Sequence, residues 1–253
     1  MADPAVVQAK SARQATGSPV SVTLDAAPTE GNTLYAIVSG ESDLFALSGW
    51  AEEWQVDLTG FQRLRAAIFS KVAGASESAT VSVTNTSAQD TTLTVIEVSN
   101  AGTFSLGTGQ DQSFDTSPTV LGQTTAANGA LHVPCVFHAA SDSTTNTAPS
   151  GYTAADILAA ANTLVAYKTI VTAGATGDQT FAAGAGGGGT GYTRGFVIEP
   201  TGGGGGGQPT QKRAGGVPWM GQHGAGFPSA IQRWIRRESG LQVPAYYRER
   251  RAA

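Results

Sequence analysis

The side chains of this chain with a claim to chemistry are three histidines, one cysteine and a pair of glutamates. His132 and His138 fall on one extended run, six residues apart. On a strand they share a face, but about 20 Å of rise separates them. They cannot close on one metal, and His223 is remote in sequence. No HExxH, CxxC or His-x-His spacing occurs, so neither a metal nor a cofactor is expected. Cys135 lies on the opposite face of the same run, with Leu131, Val133 and Phe137, and reads as a small core hydrophobe. Glycosidase chemistry needs two facing carboxylates. Glu97 and Glu199 invite that reading because they close two similar segments, but homologous strand ends, solvated or hydrogen-bonded, explain them better. No GxSxG elbow is present, and the run Gly202–Gly207 lacks the Lys-Ser/Thr ending of a phosphate loop. No catalytic residue is expected. Trp50, Trp54 and Phe61, with Glu52, Glu53 and Asp57, form an aromatic, acidic loop. Such aromatics stack on sugar rings, but Trp50 and its counterpart Tyr152 read better as caps on the end of a sandwich.

The elements that would carry these residues are strands, and they come twice. Gly31-Asn32-Thr33 opens a strand at Leu34–Ser39; a Gly49-Trp50 loop follows, then Leu64–Val72, Ala79–Asn85 and Thr91–Ser99. The second set runs Leu131–His138, a Gly151-Tyr152 loop, Thr163–Val171, Asp178–Ala182 and Tyr192–Glu199. The offset between sets is about 100 residues. Val, Ile, Thr and aromatics are enriched, and Val81 and Val83 alternate with Thr80, Ser82 and Thr84, the period-2 pattern of a half-buried strand. Val6–Ala9 and Val20–Leu24 add one or two more, near ten in all. Ala154–Asn162 suggests a helical turn, and Gly184–Gly191 a mobile hairpin tip. Pro134 cannot donate to a ladder, which predicts an edge position for its strand. The expected fold is all-β: a duplicated, jelly-roll-like β-sandwich whose two copies interleave, with two separate small sandwiches as the alternative.

The organisation is then a body at 1–200 with copies at about 31–100 and 129–200, a Gly-rich linker at 201–216, and a basic, aromatic segment at 217–253. Charge divides the same way. From Met1 to Thr201, 7 Lys and Arg stand against 17 Asp and Glu, a net of −10; from Gly202 to Ala253, 8 stand against 2, a net of +6; the sum is the overall −4. Six glycines span about 13 Å as a coil and impose no geometry. Beyond them Ser229 and Gln232 fit a capping box and Gly240 a stop, framing a helix of about ten residues with Ile231, Trp234 and Ile235 on one face. So short a helix needs a host for its apolar stripe. Trp219, Ile231, Trp234, Ile235, Arg236, Arg237, Tyr246 and Tyr247 are the expected partner-binding residues, in the composition of an interface anchor. Nucleic acid is not an expected partner, since the −10 body would repel a phosphate backbone. One cysteine excludes an intrachain disulfide framework, the sequence start carries no signal-peptide pattern, and no run reaches 18 apolar residues, so no membrane partner is expected.

The Gly31-Asn32-Thr33-Leu34 opening, the Gly49-Trp50 loop, the Val95-Ile96-Glu97 strand end, their second copies and the Gly-linked tail together resemble accessory virion proteins of tailed bacteriophages. These are head-decoration or head-fibre proteins, or minor tail proteins. The resemblance spans roughly residues 5–253 and rests on patterns rather than a signature motif. It implies a non-enzymatic structural protein made in the host cytoplasm and located in the virion. Its implied partners are other virion proteins of capsid or tail and further copies of itself. The alternative is a carbohydrate-binding, receptor-recognising module of a fibre, with a host-surface glycan as partner.

Overall fold

The computed structural model describes residues 2–202, apart from residue 43 and the segments 60–62, 87–89, 114–116, 140–145, 159–160 and 183–189. All regular structure among them is β. The first copy contributes β1 (Ala5–Gln14), β2 (Val20–Thr23), β3 (Thr33–Gly40), β4 (Phe45–Ala46), β5 (Ala51–Thr59), β6 (Arg63–Val72), β7 (Thr80–Asn85) and β8 (Thr91–Ser99). The second contributes β9 (Ala101–Leu106), β10 (Gln110–Ser113), β11 (Thr119–Val120), β12 (Thr124–Thr125), β13 (Ala130–His138), β14 (Thr153–Ala154), β15 (Thr163–Ile170), β16 (Gly174–Ala175), β17 (Gln179–Thr180) and β18 (Thr190–Pro200). The eighteen strands among the described residues exceed the ten expected, because the excess strands are short or polar and carry little apolar signal.

Each copy builds its own sheets, and the strand order repeats. The large sheet of the first copy runs β1-β8-β3-β6-β5; that of the second runs β10-β18-β13-β15-β14, with β9 also on β18. All these pairings are antiparallel. A smaller sheet covers the outer face of the first, in the order β2-β7-β4, and the pairs β11-β17 and β12-β16 take that place in the second. The copies therefore do not interleave into one sandwich. Nor are they separate, because the two large sheets lie face to face.

The period of 2 explains this stacking. In β3, Leu34, Ala36 and Val38 point outward to a core shared with Val20 and Val22 of β2 and Val81 and Val83 of β7. The intervening Tyr35 and Ile37 point inward, with Leu64, Ala66 and Ile68 of β6 and Ile96 and Val98 of β8. There they meet Leu131, Val133, Cys135 and Phe137 of β13, and Phe196 and Ile198 of β18. β8 is buried on both faces along nearly its whole length, with Thr91, Thr92, Thr94 and Glu97 as buried polar residues among its apolar ones. The outer β7 keeps the alternation of a half-buried strand. A third core joins Val136, Leu164 and Ala166 of the second large sheet to Val120 and Phe181. Burying side chains of this size contributes about 1.5–3 kcal/mol each.

Two local expectations fail for identifiable reasons. Pro134 is not on an edge: β13 is central, between β18 and β15. Its ladder to β18 runs unbroken through Pro134 and Gly195. The ladder to β15 has no pairs at Val133 and Pro134, so the missing donor falls in that gap. Ala154–Asn162 forms no helical turn among its described residues. Asp156 takes φ 51°, which ends any right-handed helix, and the Ala155 N–H donates to the Val165 carbonyl at 2.9 Å. The hairpin tip expected at Gly184–Gly191 lies largely outside the described residues.

Candidate functional site

The paired glutamates serve as loop clasps. Glu97 is fully buried. Its Oε1 accepts from the Thr29 N–H at 2.8 Å and from Asn32 Nδ2 at 2.5 Å, and its Oε2 from Gln8 Nε2 at 2.5 Å. Burial opposes its charge, but the hydrogen bonds from Gln8, Asn32 and Thr29 outweigh that and hold its carboxyl below the ordinary range. Glu199 does the same work in the second copy, accepting from the Ala126 N–H at 2.7 Å and the Ala127 N–H at 3.1 Å. Thr29 and Ala127 each stand two residues before a left-handed glycine, Gly31 and Gly129. The two carboxylates thus grip equivalent loops in their own copies. Their expected hydrogen bonding is present, but burial replaces solvation.

Cys135 is buried in the seam between the large sheets, as its strand face predicts, and burial pushes its thiol well up. His132 and His138 are also buried, and burial lowers both to about 4, so each is neutral near pH 7. His132 Nδ1 meets the Tyr152 hydroxyl at 2.8 Å. Burial raises Tyr152 to about 12. Both groups are neutral near pH 7, so one proton serves this hydrogen bond in the direction set by the His132 tautomer, and the other ring nitrogen is Nε2. That atom is buried without a partner, as is Oε1 of Gln123. Both stand against the bare face of Gly195, where a Cβ would meet them at 3.2 and 2.7 Å.

Tyr152 connects this interior to the surface. It ends a turn in which its N–H donates to the Pro149 carbonyl at 3.0 Å, with Gly151 at φ 76°. The first copy repeats that turn: the Trp50 N–H donates to Leu47 O at 3.3 Å, with Gly49 at φ 80°. A positive φ there favours glycine. Trp50 and Tyr152 each pack on the outer core of their own copy. Tyr152 further borders an open cleft of about 480 Å³ between the Ser150–Tyr152 turn, the end of β15 and the β16–β17 region. Lys168, Ile170, Val171, Thr176 and Gln179 complete its principal walls. The Lys168 ammonium lies 5.4 Å from the centre of the Tyr152 ring.

Trp54 sits on β5 and not in the loop that the sequence suggests. It packs on Phe137 and Tyr192 with ring centres 5.5 and 5.3 Å away, and the Arg194 guanidinium lies 5.0 Å from its centre. It therefore belongs to the seam between copies. Asp57 pairs with Arg63 at 2.7 Å, and Glu53 accepts from the Ser70 hydroxyl. Phe61 lies outside the described residues. So do Trp219, Ile231, Trp234, Ile235, Arg236, Arg237, Tyr246 and Tyr247, and the helix expected among them.

Among the described residues, no group of three or more His, Cys, Asp and Glu is placed to hold a metal ion, and no helix is long and apolar enough to cross a membrane. No protein family, curated protein or solved structure matches the chain.

Proposed function

We propose that this chain is a non-enzymatic structural component of a phage particle. It displays its layered β body on the virion, as head decoration or tail accessory, and is held by its C-terminal segment. The partition of charge carries this reading: −10 up to Thr201 and +6 from Gly202 onward. Opposite charges joined by a glycine run suit a segment that docks on an acidic neighbour, either another virion protein or the body of a second copy. The last strand of the body ends at Pro200, before that run begins. The side chains with chemical potential in the body have structural work: Glu97 and Glu199 hold loops, Cys135 packs in the seam, and His132 supports Tyr152.

The experiment is add-back to particles that lack this protein, with occupancy read by gel densitometry and electron microscopy. The full chain should bind. A chain without residues 202–253 should not, and Trp234→Ala should bind less. Arg236→Glu with Arg237→Glu should weaken binding most at low salt, where charge attraction is least screened. Wild-type occupancy by the truncated chain would move the attachment surface onto the β body. Failure of the full chain to bind any particle would remove the virion reading.

A further inference from the structure

We propose that the cleft beside Tyr152 and the end of β15 binds an acidic sugar, with Lys168 taking the carboxylate. This site is independent of how the chain is held on a particle. Of the seven Lys and Arg up to Thr201, five lie in ion pairs: Lys10–Asp25, Arg13–Asp90, Arg63–Asp57, Arg65–Asp57 and Lys71–Glu77. Arg194 is half-buried against Trp54 in the seam. Lys168 is different: it is exposed, has no carboxylate partner among the described residues, and stands in the wall of a cleft lined by both polar and apolar side chains. Its ammonium is aimed by the Tyr152 ring, and that ring is pinned by buried His132. Ordering the cation before the ligand arrives lowers the entropic cost of binding.

The other walls specify more than an anion. Gln179 donates through Nε2 to the carbonyls of Thr176 and Gly177 at 2.9 and 3.0 Å. That fixes its amide and leaves Oε1 to accept from a ligand hydroxyl. The Ser150 hydroxyl can both donate and accept. Val171 is 79% exposed, and with Ile170 it offers an apolar strip to the C–H face of a ring. A bare anion supplies neither a donor for Gln179 nor carbon for Val171; a sugar acid supplies both and a carboxylate for Lys168. The volume of about 480 Å³ lies within the range of roughly 300–1,000 Å³ typical of small-molecule sites.

The test titrates the full chain with glucuronic acid, glucose and acetate at neutral pH, reading backbone amide resonances by NMR. Glucuronate should shift resonances of residues 150–152, 168–171 and 176–179 in a saturable way. Glucose and acetate should each bind about tenfold more weakly or worse, since each lacks one half of the recognition. Lys168→Gln should weaken glucuronate about tenfold and remove the salt dependence of binding. Because Lys168 is exposed, that variant should keep the wild-type melting temperature. Equal binding of glucose would overturn the role of Lys168, and equal binding of acetate would reduce the cleft to an anion site. No shift with glucuronate, or undiminished binding by Lys168→Gln, would overturn the proposal.

Discussion

The backbone N–H of Asn162 donates to Thr92 Oγ1 over 2.9 Å, in the buried seam where the two copies meet. Around it, Ser39 Oγ donates to the Asn162 carbonyl at 2.8 Å, Thr163 Oγ1 to the Thr92 carbonyl at 3.3 Å, and Asn162 Nδ2 to the Asp90 carbonyl at 3.1 Å. Ser39, Thr92, Asn162 and Thr163 are all buried. Apolar faces attract without direction; hydrogen bonds of this kind fix the register of one large sheet on the other. Thr92→Val keeps the shape and strands the Asn162 N–H. The expected cost is about 1–3 kcal/mol, measured as a shift in urea midpoint against wild type. An unchanged midpoint would mean that the seam is held by its apolar contacts alone.

Acid should destabilise the body in two stages. His132 and His138 titrate near 4 when folded because burial opposes their charge, against about 6.5 in an unfolded chain. Between those values the unfolded state binds more protons, so stability falls as pH drops from about 6.5 towards 4. Glu97 acts in the same direction further down. Its folded carboxyl is held below the ordinary range, so its contribution is present above the unfolded pKa and is lost as pH falls through the folded one. Urea midpoints at half-unit steps from pH 7.5 to 3.5 check this. A flat series down to pH 4.5 would contradict the burial of both imidazoles as neutral groups.

Gly195→Ala should be destabilising through two particular atoms. The added methyl would meet Gln123 Oε1 at 2.7 Å and His132 Nε2 at 3.2 Å. Overpacking of this kind costs about 1–3 kcal/mol. The same substitution made on Gln123→Ala should cost less, because the closer of the two obstructions is gone. A double-mutant cycle in chemical denaturation gives the coupling. Strict additivity of the two changes would place the strain elsewhere.

Cys135 should be silent to thiol reagents in the native chain. It is buried, and burial raises its thiol far above neutral pH, so little thiolate is present and none is accessible. A coloured disulfide reagent should release one equivalent only when denaturant is added, at a rate that follows unfolding. Rapid reaction without denaturant would show that the seam between the sheets opens readily.

The sequence by itself determined what is local. Val81 and Val83 alternating with polar neighbours fixed β7 as a half-buried strand, and the burial of β7 follows that period. Gly49-Trp50 and Gly151-Tyr152 matched because one turn with a left-handed glycine recurs in both copies. The face of Cys135 followed from counting along its strand. The tertiary structure decided what is not local. Whether the copies interleave or stack depends on which strands exchange hydrogen bonds, and both arrangements satisfy the same apolar pattern. Pro134 stands in a central strand because the gap in one ladder absorbs its missing donor. The charges of Glu52, Glu53 and Asp57 make the segment around Trp54 read as a loop and mask an edge strand; the contacts of Trp54 come from Phe137 and Tyr192, residues of the other copy. Of the cleft, only Tyr152 left a mark in the sequence. Lys168 and Gln179 are ordinary strand residues until the ends of β15 and β17 are brought beside the Tyr152 turn. Their meeting depends on distant pairing, to which the strand period is indifferent.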